Sequence, residues 1–273
     1  MSARSVARVA LVTGGGSGIG AATAAALLSS GWQVAICGRR QVALDAVAAS
    51  TGAWTIAADV SVPADGRRVV RETVEHFGRL DGLVLNAGVV RPGPVAELCD
   101  QDWDAMVATN LSGPFRIARE ALPHLMDSRG GLVGVASMSA LRATTGIAGY
   151  NATKAGLVML IQSIAVDHGP FGVRANAVCP GWTRTEMADR EMAELAEERG
   201  IDTETAYEQS TAIVPLRRPA EADEVAAVVR WLLSDEASYL SGVVLPVDGG
   251  QAPVDPGTVA FDPRFTIGNS SRA

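Results

Sequence analysis

The chain has 273 residues, 48% hydrophobic and 19% charged, and carries a formal net charge of −7. That suffices for one large or two small globular domains, and an acidic balance with no basic block argues against a nucleic-acid partner. No apolar run reaches the length of a membrane span, the stretch before Arg8 is short and polar rather than a signal sequence, and the scattered Cys37, Cys99 and Cys179 read as reduced thiols of a cytoplasmic protein.

Arg8–Thr13 is an unbroken apolar run, as in a parallel strand covered on both faces. It leads into Gly14-Gly15-Gly16-Ser17-Gly18-Ile19-Gly20 and then an alanine-rich helix ending at Gly31. Strand, glycine turn and helix are what a phosphate-binding turn needs: glycines permit close backbone approach, and the helix offers unpaired N–H groups to a pyrophosphate. The second strand, Gln33–Cys37, ends in Gly38-Arg39-Arg40. An acidic residue there would take a ribose 2′-hydroxyl; a guanidinium suits a 2′-phosphate, so the reading favours NADP(H).

A short helix spans 41–51, a third strand runs from Trp54 to Asp59-Val60, and a helix follows Pro63. Asp59 can accept from an adenine amino group or cap that helix. Gly82–Asn86-Ala87-Gly88 reads as a fourth strand and turn, with room for a ligand against the backbone. Residues 101–128 are helical with a polar interruption at Asn110 and Ser112-Gly113-Pro114, which predicts a kink. A fifth strand ends at Ser137.

Tyr150 and Lys154 open the next helix, four residues apart and therefore on one face. Lys154 is the only lysine among 23 basic residues, and Tyr150 is one of three tyrosines. A nearby ammonium favours a phenolate, so the pair suggests a tuned proton carrier. The sixth strand, Val173–Val178, leads to Pro180-Gly181. Residues 186–213 form a glutamate-rich insertion of two helices joined at Gly200; a helix over 221–234, a strand over 243–247 and an irregular tail over 251–273 complete the chain. His76, His124 and His168 show no ligand spacing, so no metal is expected. Alternating strands and helices predict an α/β fold: a single-domain, doubly wound parallel sheet of about seven strands over 1–250.

Thr13-Gly14-x-x-x-Gly18-x-Gly20, Asn86-Ala87-Gly88, Asn110, Ser137 and Tyr150-x-x-x-Lys154 occur in order, followed by Pro180-Gly181-x-x-x-Thr185. Together they resemble the short-chain dehydrogenase/reductase family, and in particular its 3-oxoacyl reductase-like ketoreductases. The likeness runs from Arg8 to Gly250. Ser17 departs from the basic residue that often precedes the second glycine in NADP-dependent members, which leaves NAD(H) open.

The resemblance implies hydride transfer between a nicotinamide cofactor and a carbonyl or secondary alcohol. It makes Tyr150 the proton carrier, Ser137 the donor to the substrate oxygen, Lys154 the partner of Tyr150 and of the ribose hydroxyls, and Asn110 the holder of a water. It assigns the cofactor to Thr13, Gly14, Gly16, Ser17, Gly18, Ile19, Gly20, Arg39, Arg40, Asp59, Val60, Asn86, Ala87, Gly88, Pro180, Gly181, Thr183 and Thr185, with Thr185 and the Thr183 backbone at the carboxamide. The 186–213 insertion should close as a lid. Met187, Met192, Trp182, Leu141 and Val89 would then wall in a hydrophobic or extended substrate, such as an acyl thioester, polyketide or cyclic ketone. Helices apolar on more than one side, at 102–128 and 149–168, together with the resemblance, point to a homotetramer. The competing readings are an NAD-dependent secondary alcohol dehydrogenase and a non-catalytic cofactor-binding regulator.

Overall fold

The computed structural model describes residues 7–262; the segment before Ala7 and the end of the tail after Asp262 lie outside the described residues. The strands are β1 Val9–Thr13, β2 Gln33–Gly38, β3 Trp54–Ala57, β4 Gly82–Leu85, β5 Gly131–Val135, β6 Arg174–Pro180 and β7 Val244–Val247. They form one parallel seven-stranded sheet in the order β3-β2-β1-β4-β5-β6-β7. The helices are α1 Gly18–Ser29, α2 Gln41–Thr51, α3 Pro63–Phe77, α4 Asp100–Val107 and α5 Gly113–Ser128. They continue with α6 Ala148–His168, α7 Glu186–Arg199, α8 Thr203–Ser210 and α9 Ala222–Leu233.

Every residue of β1, β4 and β5 is buried, as a strand covered on both faces requires. Alternation along β1 sends Ala10 and Val12 to one face, where Ala24 and Leu27 of α1, Leu44 of α2 and Val229 of α9 pack. It sends Val9 and Leu11 to the other, against Val69 and Val70 of α3, Ile117 and Leu125 of α5, and Leu157 and Ile161 of α6. β1 pairs with β2 on one side and with β4 on the other. The chain therefore reverses its direction of travel across the sheet at β1, and the loops beyond the carboxyl ends of β1 and β4 part to leave a crevice.

Two local features differ from the sequence expectation. β3 stops at Ala57, short of Val60. Beyond it the Asp59 carboxylate accepts from the Ser61 N–H at 2.9 Å and the Ser61 hydroxyl at 2.7 Å, which turns the chain. The expected kink at Asn110 is a π turn over Ala108–Ser112, whose widened ring runs from the Gly113 N–H to the Ala108 carbonyl. Gly113 is required there, because a Cβ would lie 2.6 Å from the Val60 carbonyl oxygen.

The insertion is the expected helix pair, turning at Gly200 with φ +66°. It has a small core of its own, made of Ala188, Met192, Ala196, Ala206 and Tyr207. The described part of the tail is irregular apart from a 3₁₀ turn over Pro256–Phe261. Among the described residues no helix is long and apolar enough to cross a membrane, and no group of three or more potential ligands could hold a metal ion.

Candidate active site

Loops and helix ends meet at the carboxyl edge of the sheet around a cleft of about 350 Å³. Its floor is the turn after β1. Gly14 has φ +67° and Gly18 φ +51°, conformations that side chains oppose. A Cβ on Gly14 would lie 2.9 Å from Ala87 Cα, and one on Gly20 only 2.2 Å from the Gly14 carbonyl oxygen. Ser17 occupies the cap position of α1, yet its side chain caps nothing, so the first-turn N–H groups remain available to an anion.

Thr13 and Asn86 brace this turn. The Thr13 hydroxyl donates to the Val84 carbonyl at 3.2 Å and accepts from the Asn86 and Ala87 N–H groups at 2.9 and 3.1 Å. The Asn86 amide donates to the carbonyls of Thr13 and Gly14 at 3.0 and 3.2 Å. Thr13 and Gly20 therefore act behind the cleft wall, whereas Gly14, Gly16, Ser17, Gly18 and Ile19 line it. Gly15, part of the turn but not assigned to the cofactor, also requires glycine: a Cβ there would lie 2.6 Å from Ile36 Cβ.

At one end Arg39, Arg40, Asp59 and Val60 line the cleft. Arg39 is exposed and makes no hydrogen bond or ion pair among the described residues. Arg40 reaches across to Glu186 of α7 at 2.7 Å and lies 3.4 Å from the Ser17 hydroxyl. Asp59 makes a local turn instead of capping α3, whose cap position is Val62.

At the other end stand Tyr150 and Lys154, in the first two turns of α6. Lys154 is only 4% exposed. Its ammonium donates to the Val135 carbonyl at 2.9 Å and lies 5.5 Å from the centre of the Tyr150 ring. Burial pulls its pKa down to about 8. One N–H is bound; two more remain for a ligand. Gly88 keeps that path open, since a Cβ there would come to 3.4 Å from Lys154 Nζ.

Burial pushes the Tyr150 phenol up to about 12; a hydrogen bond from Ser137 acts downward and the charge of Glu191 acts upward. As the site stands, Ser137 is thus the group that favours the phenolate, with Lys154 one step removed. The Ser137 oxygen also accepts from the Ser139 N–H at 3.1 Å, which fixes its direction. Asn110 is 1% exposed, and its amide both donates and accepts. It accepts from the Val89 N–H and donates to the Val89 carbonyl, both at 2.8 Å, and donates to the Thr153 hydroxyl at 3.2 Å. Its side chain pins the loop after Gly88 to α6 with both amide hydrogens, and its oxygen keeps one lone pair for a further donor.

The roof comes from β6 and α7. Pro180 is buried at the end of β6, and the Gly181 N–H donates to the Val247 carbonyl at 3.0 Å. The Thr183 hydroxyl donates to the Gly181 carbonyl at 3.1 Å, so these three shape the approach without lining the cleft. Thr185 does line it, while its hydroxyl caps α7 by accepting from the Ala188 N–H at 3.2 Å. Of the expected apolar wall, Val89 and Met187 line the cleft, Met192 and Trp182 serve the core of the insertion, and Leu141 is exposed.

Sequence reasoning missed Glu186, Arg190, Thr109 and Val135, all of which line the cleft. It also missed Glu191, a half-buried carboxyl whose charge reaches Tyr150 and whose own pKa is raised by burial. The i, i+4 spacing from Met187 was the available signal for Glu191. Nothing local marks the Val135 carbonyl as the acceptor for Lys154.

The arrangement fits a dinucleotide: unfilled N–H groups at a glycine turn, an exposed guanidinium at one end, and a buried ammonium with donors to spare at the other. Residues 14–252 match the family model described as enoyl-(acyl carrier protein) reductase. The chain is 39% identical over 261 residues to protein MoaE of Klebsiella aerogenes, covering 94% of this chain and 100% of that one. It is 37% identical over 254 residues to levodione reductase of Leifsonia aquatica, covering 90% and 94%. A solved structure of levodione reductase superposes with a TM-score of 0.86, covering 89% of this chain and 97% of the other. A variant of actinorhodin polyketide ketoreductase, solved with NADPH, also gives a TM-score of 0.86, at 33% identity and coverage of 91% and 98%.

Proposed function

The chain belongs to the short-chain dehydrogenase/reductase family and is an NAD(P)-dependent oxidoreductase acting on CH–OH groups; from that premise we propose that it is an NADP(H)-dependent ketoreductase. The observation that carries this reading is one continuous cleft running from the exposed Arg39 guanidinium, over the glycine turn, to the paired Tyr150 and Lys154. The relatives described as levodione reductase and polyketide ketoreductase support a cyclic or polyketide-type carbonyl substrate.

A bound nicotinamide supplies or accepts the hydride. The Tyr150 hydroxyl donates a proton to the substrate oxygen in reduction and takes it back in oxidation. Ser137 lies beside Tyr150 and steadies the oxygen as negative charge develops. Lys154 would hold the ribose hydroxyls with its unbound N–H groups, and its charge favours the phenolate once Tyr150 has given up its proton. Asn110 positions the loop after Gly88 and so the wall beside Lys154. Among the partly exposed apolar side chains, Phe115 on α5 and Met159 and Val166 on α6 support self-association through these helices, as in a homotetramer acting in the cytoplasm.

The second reading is an NAD-dependent secondary alcohol dehydrogenase. The ion pair that already occupies Arg40 favours it. Tyr150→Phe tests the proton role under either cofactor. Ketone reduction should fall by about 10²–10⁴-fold, while the dissociation constant for NADPH, read by fluorescence titration, stays near the wild-type value. Retained turnover would remove Tyr150 from the chemistry.

A further inference from the structure

Arg40, Ser17 and Glu186 come from three separate parts of the chain: the end of β2, the phosphate-binding turn and the first turn of α7. All three line the cofactor cleft. Arg40 joins them, 2.7 Å from the Glu186 carboxylate and 3.4 Å from the Ser17 hydroxyl. Beside this clasp the insertion rests directly on the turn, for a Cβ on Gly18 would lie 2.9 Å from Thr185 Cγ2. The first turn of α7 is thus tied to the wall of the adenosine end of the cleft by one ion pair.

The same guanidinium stands where a 2′-phosphate would be received. A carboxylate that holds Arg40 competes with that phosphate for its donors and adds a like charge beside it. A ribose 2′-hydroxyl makes no such demand. We propose that Glu186 determines cofactor choice: by holding Arg40 it disfavours NADP(H) relative to NAD(H), so that closure of α7 and binding of a 2′-phosphate draw on one guanidinium. Arg39, unpartnered among the described residues, supplies the constant part of any 2′-phosphate attraction. With NAD(H) bound the clasp persists and keeps the insertion down; with NADP(H) bound Arg40 turns to the phosphate and the insertion loses that tether. The inference rests on the cleft taking a nicotinamide dinucleotide, and holds whichever of the two the protein prefers.

The side chains of Arg40 and Glu186 are 61% and 53% exposed, so the competition is modest and sensitive to salt. Dissociation constants for NADPH and NADH are measured by fluorescence titration on four full-length proteins: wild type, Glu186→Gln, Arg40→Gln and the double variant. Glu186→Gln should tighten NADPH about two- to fivefold and leave NADH unchanged. In the Arg40→Gln background the same change should shift the ratio less, because only the like charge beside the phosphate is then removed. An unchanged ratio on Glu186→Gln overturns the proposal, as does a shift of equal size without Arg40. Arg39→Asp separates this outcome from the ketoreductase reading. Equal losses for both cofactors there would count against NADP(H) as the preferred partner, while the Arg40–Glu186 cycle alone decides the clasp.

Discussion

A Cβ on Gly20 would sit 2.2 Å from the Gly14 carbonyl oxygen, whereas across the cleft α7 and α8 are held by what long side chains reach. Arg184 binds Glu204 at 2.6 Å and Glu221 at 3.6 Å, and its guanidinium stacks 4.5 Å above the Tyr207 ring. The floor is fixed by backbone approach, which leaves no freedom of sequence and little of conformation. The roof is a five-residue core and a few ion pairs, which can be exchanged one at a time. Chemistry shared across a family belongs on the first kind of structure; selection among cofactors and substrates belongs on the second. Substitutions in each region should therefore fail in different ways.

Gly20→Ala breaks the floor. The added methyl meets a backbone oxygen and the Asn86 amide, 2.6 Å away, so no side-chain rotation relieves it. The turn must open, moving the N–H groups at the start of α1. Displacements of about 1 Å cost on the order of 10²-fold in rate, so kcat/KM for a ketone should fall by about that factor, and titration should show weaker binding of both NADPH and NADH. Affinity within threefold of wild type would mean that the turn is less rigid than its contacts require.

Tyr207→Ala breaks the roof. Tyr207 is fully buried, donates to the Asp189 carboxylate at 2.7 Å and fills the small core. Deleting a buried ring costs about 3–5 kcal/mol, and here the loss falls on a local unit that can open by itself. Limited proteolysis should cut first within 186–213, and KM for a ketone should rise about tenfold, whereas affinity for NADH changes far less. Unfolding of the whole chain in one transition, with no early cleavage, would show that roof and floor are a single cooperative unit.

The same contrast sets what the sequence reveals. Gly14, Gly18 and Gly20, the Tyr150–Lys154 spacing and the strand–helix alternation are local or periodic signals, and the structure brings those residues to one edge of the sheet. The clasp is not local: Arg40 and Glu186 lie 146 positions apart, and the first-turn glutamate reads equally well as a helix-dipole partner. Met192 illustrates the limit of composition. Its size suits a substrate wall, yet i, i+4 packing from Ala188 and the return of α8 place it in the core of the insertion. Asn110 marked a helix interruption correctly, but the bonds of its amide to the Val89 backbone depend on a loop that no local pattern specifies.

Glu191 is where roof meets chemistry, and altering it gives the smallest and most specific effect. Its charge raises the Tyr150 pKa, while burial first and Glu194 second raise its own; Arg190 acts the other way. Oxidation of an alcohol needs the phenolate, so its rate climbs with pH until Tyr150 has ionised. Glu191→Gln removes a negative charge that opposes ionisation, and the Tyr150 pKa falls. The rising limb of kcat/KM for oxidation should move to lower pH, with the alkaline plateau unchanged. Toward acid, where Glu191 itself becomes protonated, wild type and variant should converge. Reduction uses the protonated phenol and should hardly respond at neutral pH. A shift toward higher pH, or none at all, would mean that the roof carboxylate does not act on the proton carrier and that the two regions meet only through packing.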